Sequence, residues 1–272
     1  MRVIVTGGSG FIGSWVIDEL KDRGHIPVTF DRRFGDDVRN PLNVMAAVGD
    51  ADAVIHLAGM LGTHELFDSA HEAVDVNVHG TLNVLEACAA NQARYVGIGM
   101  PQVWDNVYQA TKLCSGKLAS AWHRHRGVPV SHVRAYNVFG PGQHVGAPQK
   151  IIPTFASRSW DGEPMPIWGD GSQLVDLVWV GDIARMLVEA LEFGDNETFD
   201  AGSGLPFDVN EIAQFVGAVT GNPAVQHHPM RLGEHGDGVV SGGEGWDILG
   251  WHPEWRPDAF EETVRWYQHN RP

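Results

Sequence analysis

Two groups of residues in this 272-residue chain have the types and spacing for chemistry. In Tyr108-Gln109-Ala110-Thr111-Lys112 a phenol and an ammonium stand four residues apart, which on a helix puts them on one face. A tyrosine at its ordinary pKa of about 10 is a poor base at neutral pH. A cation beside it favours the phenolate, so the pair can take a proton from a substrate hydroxyl and return it. The same spacing also occurs on helices that do no chemistry, where it is a surface contact. The second group is Thr6-Gly7-Gly8-Ser9-Gly10-Phe11-Ile12-Gly13, in which Gly7, Gly10 and Gly13 recur at three-residue spacing. Such glycines allow a tight turn, close approach of backbone to a pyrophosphate, and tight packing of helix on strand. The helix start at Phe11 and Ile12 then offers free N–H groups and a partial positive charge to the phosphates. Asp31 follows Gly13 by 18 residues, placed to accept hydrogen bonds from ribose hydroxyls. Its charge opposes a 2′-phosphate, which points to NAD rather than NADP. Arg32 and Arg33 leave two roles open, as a clamp on that phosphate or as solvated neighbours of the adenine.

These groups need a scaffold, and the chain alternates short β-branched runs with longer helical patterns. Val3 to Val5, Ile26 to Phe30, Ala53 to Leu57, Tyr95 to Ile98 and Val128 to Val133 read as strands. Phe11 to Arg23, Ala73 to Ala90 and Val107 to His125 read as helices, the first stopped by Gly24 and the last by Gly127. Such alternation implies right-handed crossovers and a parallel sheet covered on both faces. The expected fold class is α/β: a Rossmann-type doubly wound parallel sheet with a smaller C-terminal α/β substrate lobe. Residues 1–150, with a returning strand and helix within about 174–203, form the dinucleotide-binding domain in this reading. Residues 151–173 and 204–272 form the lobe, rich in proline and tryptophan and expected to hold few long helices.

Composition narrows the function. With 19 Lys+Arg against 34 Asp+Glu the net charge is −15, without a basic cluster, which argues against nucleic acid and anionic membrane as partners. The two cysteines, Cys88 and Cys114, form no C-x-x-C motif, and Cys88 falls on the apolar face of a helix. The N-terminus runs straight from Val5 into glycines without a signal-peptide core, and no apolar stretch approaches the ~20 residues that span a bilayer. A cytoplasmic protein is expected. Fourteen histidines include no H-E-x-x-H and no Cys/His cluster of zinc spacing, so no metal is expected. His123 and His125 close a helix, His227 and His228 precede Pro229 in an apparent loop, and His64 lies near the supposed site.

The sequence resembles the extended short-chain dehydrogenase/reductase family, in its NAD-dependent sugar-nucleotide epimerase/dehydratase branch. The resemblance covers nearly the whole chain. It rests on TGGSGFIG at Thr6 to Gly13, Asp37-Val38, HLAG at His56 to Gly59, NVHGTLNVLEAC at Asn77 to Cys88 and YQATK at Tyr108 to Lys112. RAYNVFGPGQ at Arg134 to Gln143, WGDGSQLVDLVWVGDIA at Trp168 to Ala184, RLGE from Arg231 and LGW at Leu249 to Trp251 continue it. It implies that Asp37 and Val38 contact adenine and that Leu57, Ala58 and Gly59 run along the cofactor. Asn77 would line the site, Lys112 would also hold the nicotinamide ribose, and Asn137 and Arg231 would meet a substrate pyrophosphate. A homodimer through the helices around Ala73 to Ala90 and Val107 to His125 is implied as well.

The chain departs from the family pattern in ways that bear on its reaction. Where the family carries a Ser or Thr ahead of the tyrosine, aligning Val103-Trp104 with its Val-Tyr puts Met100, which cannot donate a hydrogen bond. Thr63, in the loop after HLAG, or Gln102 would have to supply the missing group; the other reading makes Thr63 an ordinary loop residue. Only Asp105, Asn106 and Val107 separate Trp104 from Tyr108, where the family has a longer loop, and Val175 stands where it has an arginine. Pro101 and Gln102 replace the Asp-Glu pair of the 4,6-dehydratases, which disfavours elimination of water. The expectation is an NAD-dependent epimerase of a nucleoside-diphosphate sugar, with Tyr108, Lys112 and Thr63 catalytic. The alternatives are an NAD(P)H-dependent sugar-nucleotide reductase or dehydrogenase, and a cofactor-binding protein weakened by Met100.

Overall fold

Val3, Ile4 and Val5 are buried at the centre of β1 (Arg2–Thr6), as a strand covered on both faces requires. It is followed by α1 (Phe11–Asp22), β2 (Ile26–Phe30), α2 (Pro41–Val48), β3 (Ala53–His56), α3 (Ala70–Val74), α4 (Gly80–Asn91), β4 (Arg94–Gly99), α5 (Val107–Arg126) and β5 (Val130–Ala135). Then come β6 (Asn137–Phe139), α6 (Ile151–Trp160), β7 (Met165–Trp168), β8 (Leu174–Trp179), α7 (Val180–Glu189), β9 (Asp195–Ala201) and β10 (Pro206–Asp208). The chain ends with α8 (Val209–Thr220), β11 (Val225–His228), α9 (Trp246–Leu249) and α10 (Pro257–Asn270). The structure, a computed structural model, describes residues 1–102, 105–231 and 238–271.

Six parallel strands form the central sheet in the order β2-β1-β3-β4-β5-β9. The chain leaves β1 first to one side and then to the other, so the order reverses there, and the crevice outside the strand ends at that point is where such sheets bind ligands. Side-chain alternation divides the core. Val3, Val5 and Ile55 pack with Val16 and Leu20 of α1 and Ile183 and Leu187 of α7. Ile4 and Val54 face the other way, onto Val44 of α2, Val84 and Leu85 of α4, and Ala119 of α5. No described helix is long and apolar enough to cross a membrane.

The expected Ala73 to Ala90 helix is interrupted: a π-helical turn over Asp75–His79 separates α3 from α4. Beyond β5 the structure differs more. The strand at Leu174 does not return to the central sheet; β8 pairs with β6 and antiparallel with β10 in a separate three-stranded sheet, and only α7 and β9 rejoin the main layers. The C-terminal part has substantial helices, with 12 residues in α8 and 14 in α10, because Val209, Ile212, Val216, Phe260, Val264 and Tyr267 recur at helical spacing around one core. His227 and His228 lie in β11, paired with β7, and not in a loop. Asp176 of β8 is wholly buried and its carboxylate accepts hydrogen bonds from the N–H groups of Ser203, Gly204 and Ser241 and from the Ser203 hydroxyl. That set of donors fixes two loops of the C-terminal part to β8.

Leu20 is fully buried where α1 lies against α7. Leu20→Ala is expected to lower unfolding stability by about 2–5 kcal/mol, read by urea denaturation without added nucleotide.

Candidate active site

The glycine loop closes on itself and on its neighbours. The Gly7 N–H donates to the Phe30 carbonyl (2.9 Å) and the Gly10 N–H to the Gly7 carbonyl (3.0 Å). Two positions tolerate only glycine. Gly7 has φ +69°, and a Cβ there would sit 2.9 Å from the Ala58 nitrogen; a Cβ on Gly13 would lie 2.3 Å from the Gly7 oxygen. Gly10 caps α1 without a side-chain hydrogen bond. The loop thus ends in unclaimed donors at a helix start, the chemistry that suits a pyrophosphate.

Asp31 sits at the end of β2 with its carboxylate accepting from the N–H groups of Ser9 (3.1 Å) and Arg33 (3.0 Å). Burial pushes this carboxyl up, but those hydrogen bonds and the Arg33 charge outweigh it and hold it below the usual carboxylate range. Asp37, bridged to Arg39, is held low mainly by that guanidinium, and beside it Val38 is buried. Asp31, Arg32, Asp37 and Val38 line one end of a cleft of about 720 Å³, within the range typical of small-molecule sites. Leu57, Ala58 and Gly59 continue along it to Tyr108 and Lys112. Asn137 and Arg231, the latter with its guanidinium 4.3 Å above the Trp168 ring, line the far end. Thr63 and Met100 face the same cleft; Gln102 is exposed and outside it.

Asn77 is placed differently from the expectation. It does not line the cleft but lies buried beneath it, because the π-helical turn delivers its side chain to the backbone of the loop after β3. Its carbonyl oxygen Oδ1 accepts from the Met60 N–H (2.7 Å), and its Nδ2 donates to the Met60 carbonyl (3.0 Å) and to the Thr111 hydroxyl (3.0 Å). Thr111 in turn donates to the Tyr108 carbonyl (2.9 Å). Thr81 and Ser115 both donate to the Asn77 main-chain carbonyl. His56 spans the remaining gap, accepting a hydrogen bond from the Thr6 hydroxyl at Nδ1 (2.7 Å) and donating from Nε2 to Thr81 (3.1 Å). Because Thr81 already donates to Asn77, Nε2 carries the His56 proton, and burial pushes this imidazole down to about 3, keeping it neutral. This network escaped the sequence reading; the H-L-A-G and N-V-H-G-T segments were its visible signs.

Tyr108 and Lys112 project from α5 onto the cleft floor, half-buried, and among the described residues neither the phenol nor the ammonium has a hydrogen-bond partner. Asn106 caps the helix through the Gln109 N–H (2.9 Å), so the pair begins one residue into its first turn. The expected lowering of the tyrosine is not found. Burial pushes the phenol up to about 12 and the Lys112 ammonium down to about 8. The phenol is therefore protonated at neutral pH, a proton donor until a bound ligand changes its surroundings.

Other expectations resolve simply. Cys88 is buried and pushed up to about 12 by burial, Cys114 is exposed, and His123 Nδ1 hydrogen-bonds the Val128 carbonyl. Val103-Trp104, used to align Met100, and Leu232 to Glu234 of the RLGE motif lie outside the described residues. Among the described residues no group of His, Cys, Asp and Glu could hold a metal ion.

A parallel sheet with a glycine cradle, an acidic residue ending the second strand, and a Tyr-x-x-x-Lys helix facing the same cleft define an extended short-chain dehydrogenase/reductase enzyme. A family model matches residues 3–202, and the chain belongs to the NAD dependent epimerase/dehydratase family, with NAD as cofactor. A dTDP-glucose 4,6-dehydratase of Streptomyces niveus is 29% identical, with 100% of this chain and 94% of the relative covered. A UDP-glucose 4-epimerase of Mycolicibacterium smegmatis is 26% identical over 93% of this chain and 94% of its own. The crystal structure of a Thermus thermophilus UDP-glucose 4-epimerase in complex with NAD superposes with a TM-score of 0.89 at 25% identity, covering 99% and 100% of the two chains.

Lys112 gives the site a pH signature. Its folded-state pKa of about 8 lies below its unfolded value near 10.5, so between these the unfolded chain binds the extra proton and stability rises with pH. NAD-free protein should therefore gain stability between pH 8 and 9.5, and Lys112→Met should flatten the rise, both read by urea denaturation.

Proposed function

We propose that the protein epimerises a nucleoside-diphosphate sugar by transient oxidation of one ring hydroxyl. The observation that carries this reading is the distribution of charge along the cleft. Its acidic lining residues, Asp31, Asp36 and Asp37, group around the end of β2, and near Tyr108, Lys112, Lys150 and Arg231 no carboxylate lines the described wall; Glu65, the carboxylate nearby, lies behind it and is engaged by the Thr63 N–H (2.9 Å) and the Arg231 charge. Elimination of water would need a second acid/base group there; an epimerisation does not. The relatives named above include both reaction types, so the choice rests on these residues.

Bound NAD supplies a reversible hydride acceptor. To act as the base Tyr108 must first give its own proton to solvent, which the Lys112 ammonium one turn away favours by stabilising the phenolate; the phenolate then takes the proton of the reacting hydroxyl and gives it back when the ketone is reduced. The raised tyrosine suits the return step, since a phenol held protonated is ready to donate. Lys112, still charged at neutral pH, holds the ribose and the phenolate. Thr63 supplies the hydroxyl that Met100 lacks: apart from Ser9 of the glycine loop, it is the only serine or threonine on the described cleft wall. Asn137 and the Arg231 guanidinium take the substrate diphosphate, a match of planar fork to phosphate oxygens. Because the reaction is redox-neutral, NAD stays bound through turnover. A reductase would have to exchange it, and the charge of Asp31 opposes the 2′-phosphate that reductive enzymes commonly read.

The reading includes a homodimer through the outer faces of α3, α4 and α5, where Val74 and Leu113 leave apolar surface exposed, and a cytoplasmic location that suits two free thiols. Protein purified without added nucleotide should release stoichiometric NAD on denaturation. Tyr108→Phe should keep that NAD and lose about 10²–10⁴-fold in kcat. Unchanged turnover of Tyr108→Phe would remove the tyrosine from the mechanism.

A further inference from the structure

The loop that carries Thr63 is fastened at two points, and the second lies outside the network beneath the cleft. At the first, Met60 is gripped by Asn77 through both of its backbone polar atoms. At the second, the N–H of Thr63 itself donates to Glu65 Oε2 (2.9 Å). The chain between them passes hard against this carboxylate: a Cβ on Gly62 would lie 3.3 Å from Glu65 Oε2 and 3.1 Å from Leu66 Cγ. Leu66 is buried, so the short 3₁₀ turn Glu65–Phe67 is pinned to the interior, and this turn lies against α5, the helix of Tyr108. The Glu65 side chain is partly exposed but does not line the cleft. Burial pushes its carboxyl up, yet the N–H groups of Glu65 and Thr63 and the pull of His64 and Arg231 outweigh that and hold it below the usual carboxylate range. The acceptor for the Thr63 N–H is therefore an anion at neutral pH, which makes the hydrogen bond a strong one.

We propose that Glu65 is a positioning residue for the reaction: its carboxylate fixes the Thr63 peptide, and through it the threonine hydroxyl on the cleft wall. The inference rests on the reading above in which Thr63 serves the reacting oxygen, and it names what holds that hydroxyl in place. Threonine is β-branched, so once its backbone is fixed its χ1 angle has few positions left, and anchoring the N–H anchors the hydroxyl. Without the carboxylate, Leu61, Gly62 and Thr63 would hang from Met60, through a glycine that gives the backbone its widest freedom. A group that serves proton transfer loses about a hundredfold in rate when it is misplaced by about 1 Å. Glu65 rides on a turn packed against α5, so the hydroxyl and the Tyr108 phenol share one support. The role requires an oxygen acceptor at the reach of a glutamate and does not require a proton. That separates it from an acid or base, for which a carboxyl group is essential and an amide useless.

The test is steady-state kinetics of NAD-loaded protein with UDP-glucose, UDP-N-acetylglucosamine and dTDP-glucose, using the one that the wild-type protein epimerises fastest. Glu65→Asp keeps the charge but falls short of the Thr63 N–H, and should lower kcat about tenfold to a hundredfold. KM should stay within about twofold, because the lost interaction serves the transition state and not binding, and NAD content and melting temperature should stay at wild-type values. Glu65→Gln keeps an oxygen at the right reach and should recover all but about threefold of kcat. Thr63→Val should lower kcat as far as Glu65→Asp does, and combining the two should cost less than about twofold more than Thr63→Val alone. The reverse order, with Glu65→Asp active and Glu65→Gln impaired, overturns the inference and assigns Glu65 to proton transfer. Additive losses in the double variant also overturn it, since Glu65 would then act elsewhere than through Thr63, and they leave the epimerase reading standing. A Thr63→Val variant that turns over like the wild type removes the role of the hydroxyl and this inference with it. Wild-type protein that neither binds nor epimerises any of the three sugar nucleotides overturns the epimerase reading as well.

Discussion

A buried amide is stable only when its polar atoms are all paired, and Asn77 meets that condition by joining parts of the chain that are distant in sequence. Its side chain grips both polar atoms of the Met60 backbone and the hydroxyl of Thr111, while its own carbonyl receives Thr81 and Ser115. Removing the amide would leave the Met60 N–H, the Met60 carbonyl and the Thr111 hydroxyl to find other partners in a dry interior. The π-helical turn makes this possible, because widening the helix by one residue turns Asn77 inward between α3 and α4. The loop after β3 and the helix that bears Tyr108 are thereby held in one register. His56 extends the same lock to β1 through Thr6, whose hydroxyl also receives the Leu57 and Ala58 N–H groups. Neutrality of this imidazole matters: a charged one would need a counter-ion that the surrounding threonines cannot provide.

Above this support the chemistry is governed by desolvation more than by pairwise charge. Tyr108 and Lys112 are both pushed towards their neutral forms by burial, in opposite directions on the pH scale. Two groups so placed exchange a proton with a ligand more readily than groups held by fixed partners, since no internal hydrogen bond must first be broken. The end of the cleft at β2 follows the opposite rule, with Asp31 and Asp37 stabilised as anions by backbone N–H groups and by Arg33 and Arg39. One end of the cleft is therefore fixed and preorganised for recognition, and the other is left chemically responsive.

The sequence made some of this readable and hid the rest for physical reasons. The glycine cradle, Asp31 and the Tyr108–Lys112 pair were legible because backbone sterics and helical periodicity act over a few residues. β1, β2 and β4 were legible as apolar runs because both faces of the sheet are covered. The placement of β8 was not, because Leu174 to Trp179 has the same apolar pattern whether it pairs with β5 or with β6 and β10. Asn77 had a name in the family pattern, but its position under the cleft depends on a π-helical turn that no local composition announces. The tyrosine's electrostatics were misjudged for a related reason: spacing shows that Lys112 is near, and burial, a property of the whole fold, decides the sign of the shift.

Met100 and Thr63 show how one substitution bears on catalysis. A hydroxyl on the strand end would serve the reacting oxygen and also offer a partner to a neighbouring polar substituent. With methionine there, the strand end turns apolar, and in the proposed reaction the hydroxyl function falls to a threonine on the loop that Asn77 anchors through Met60, three residues away. That loop is positioned as firmly as the helix of Tyr108, since both hang from the same amide, so moving the hydroxyl need not loosen the geometry of proton transfer.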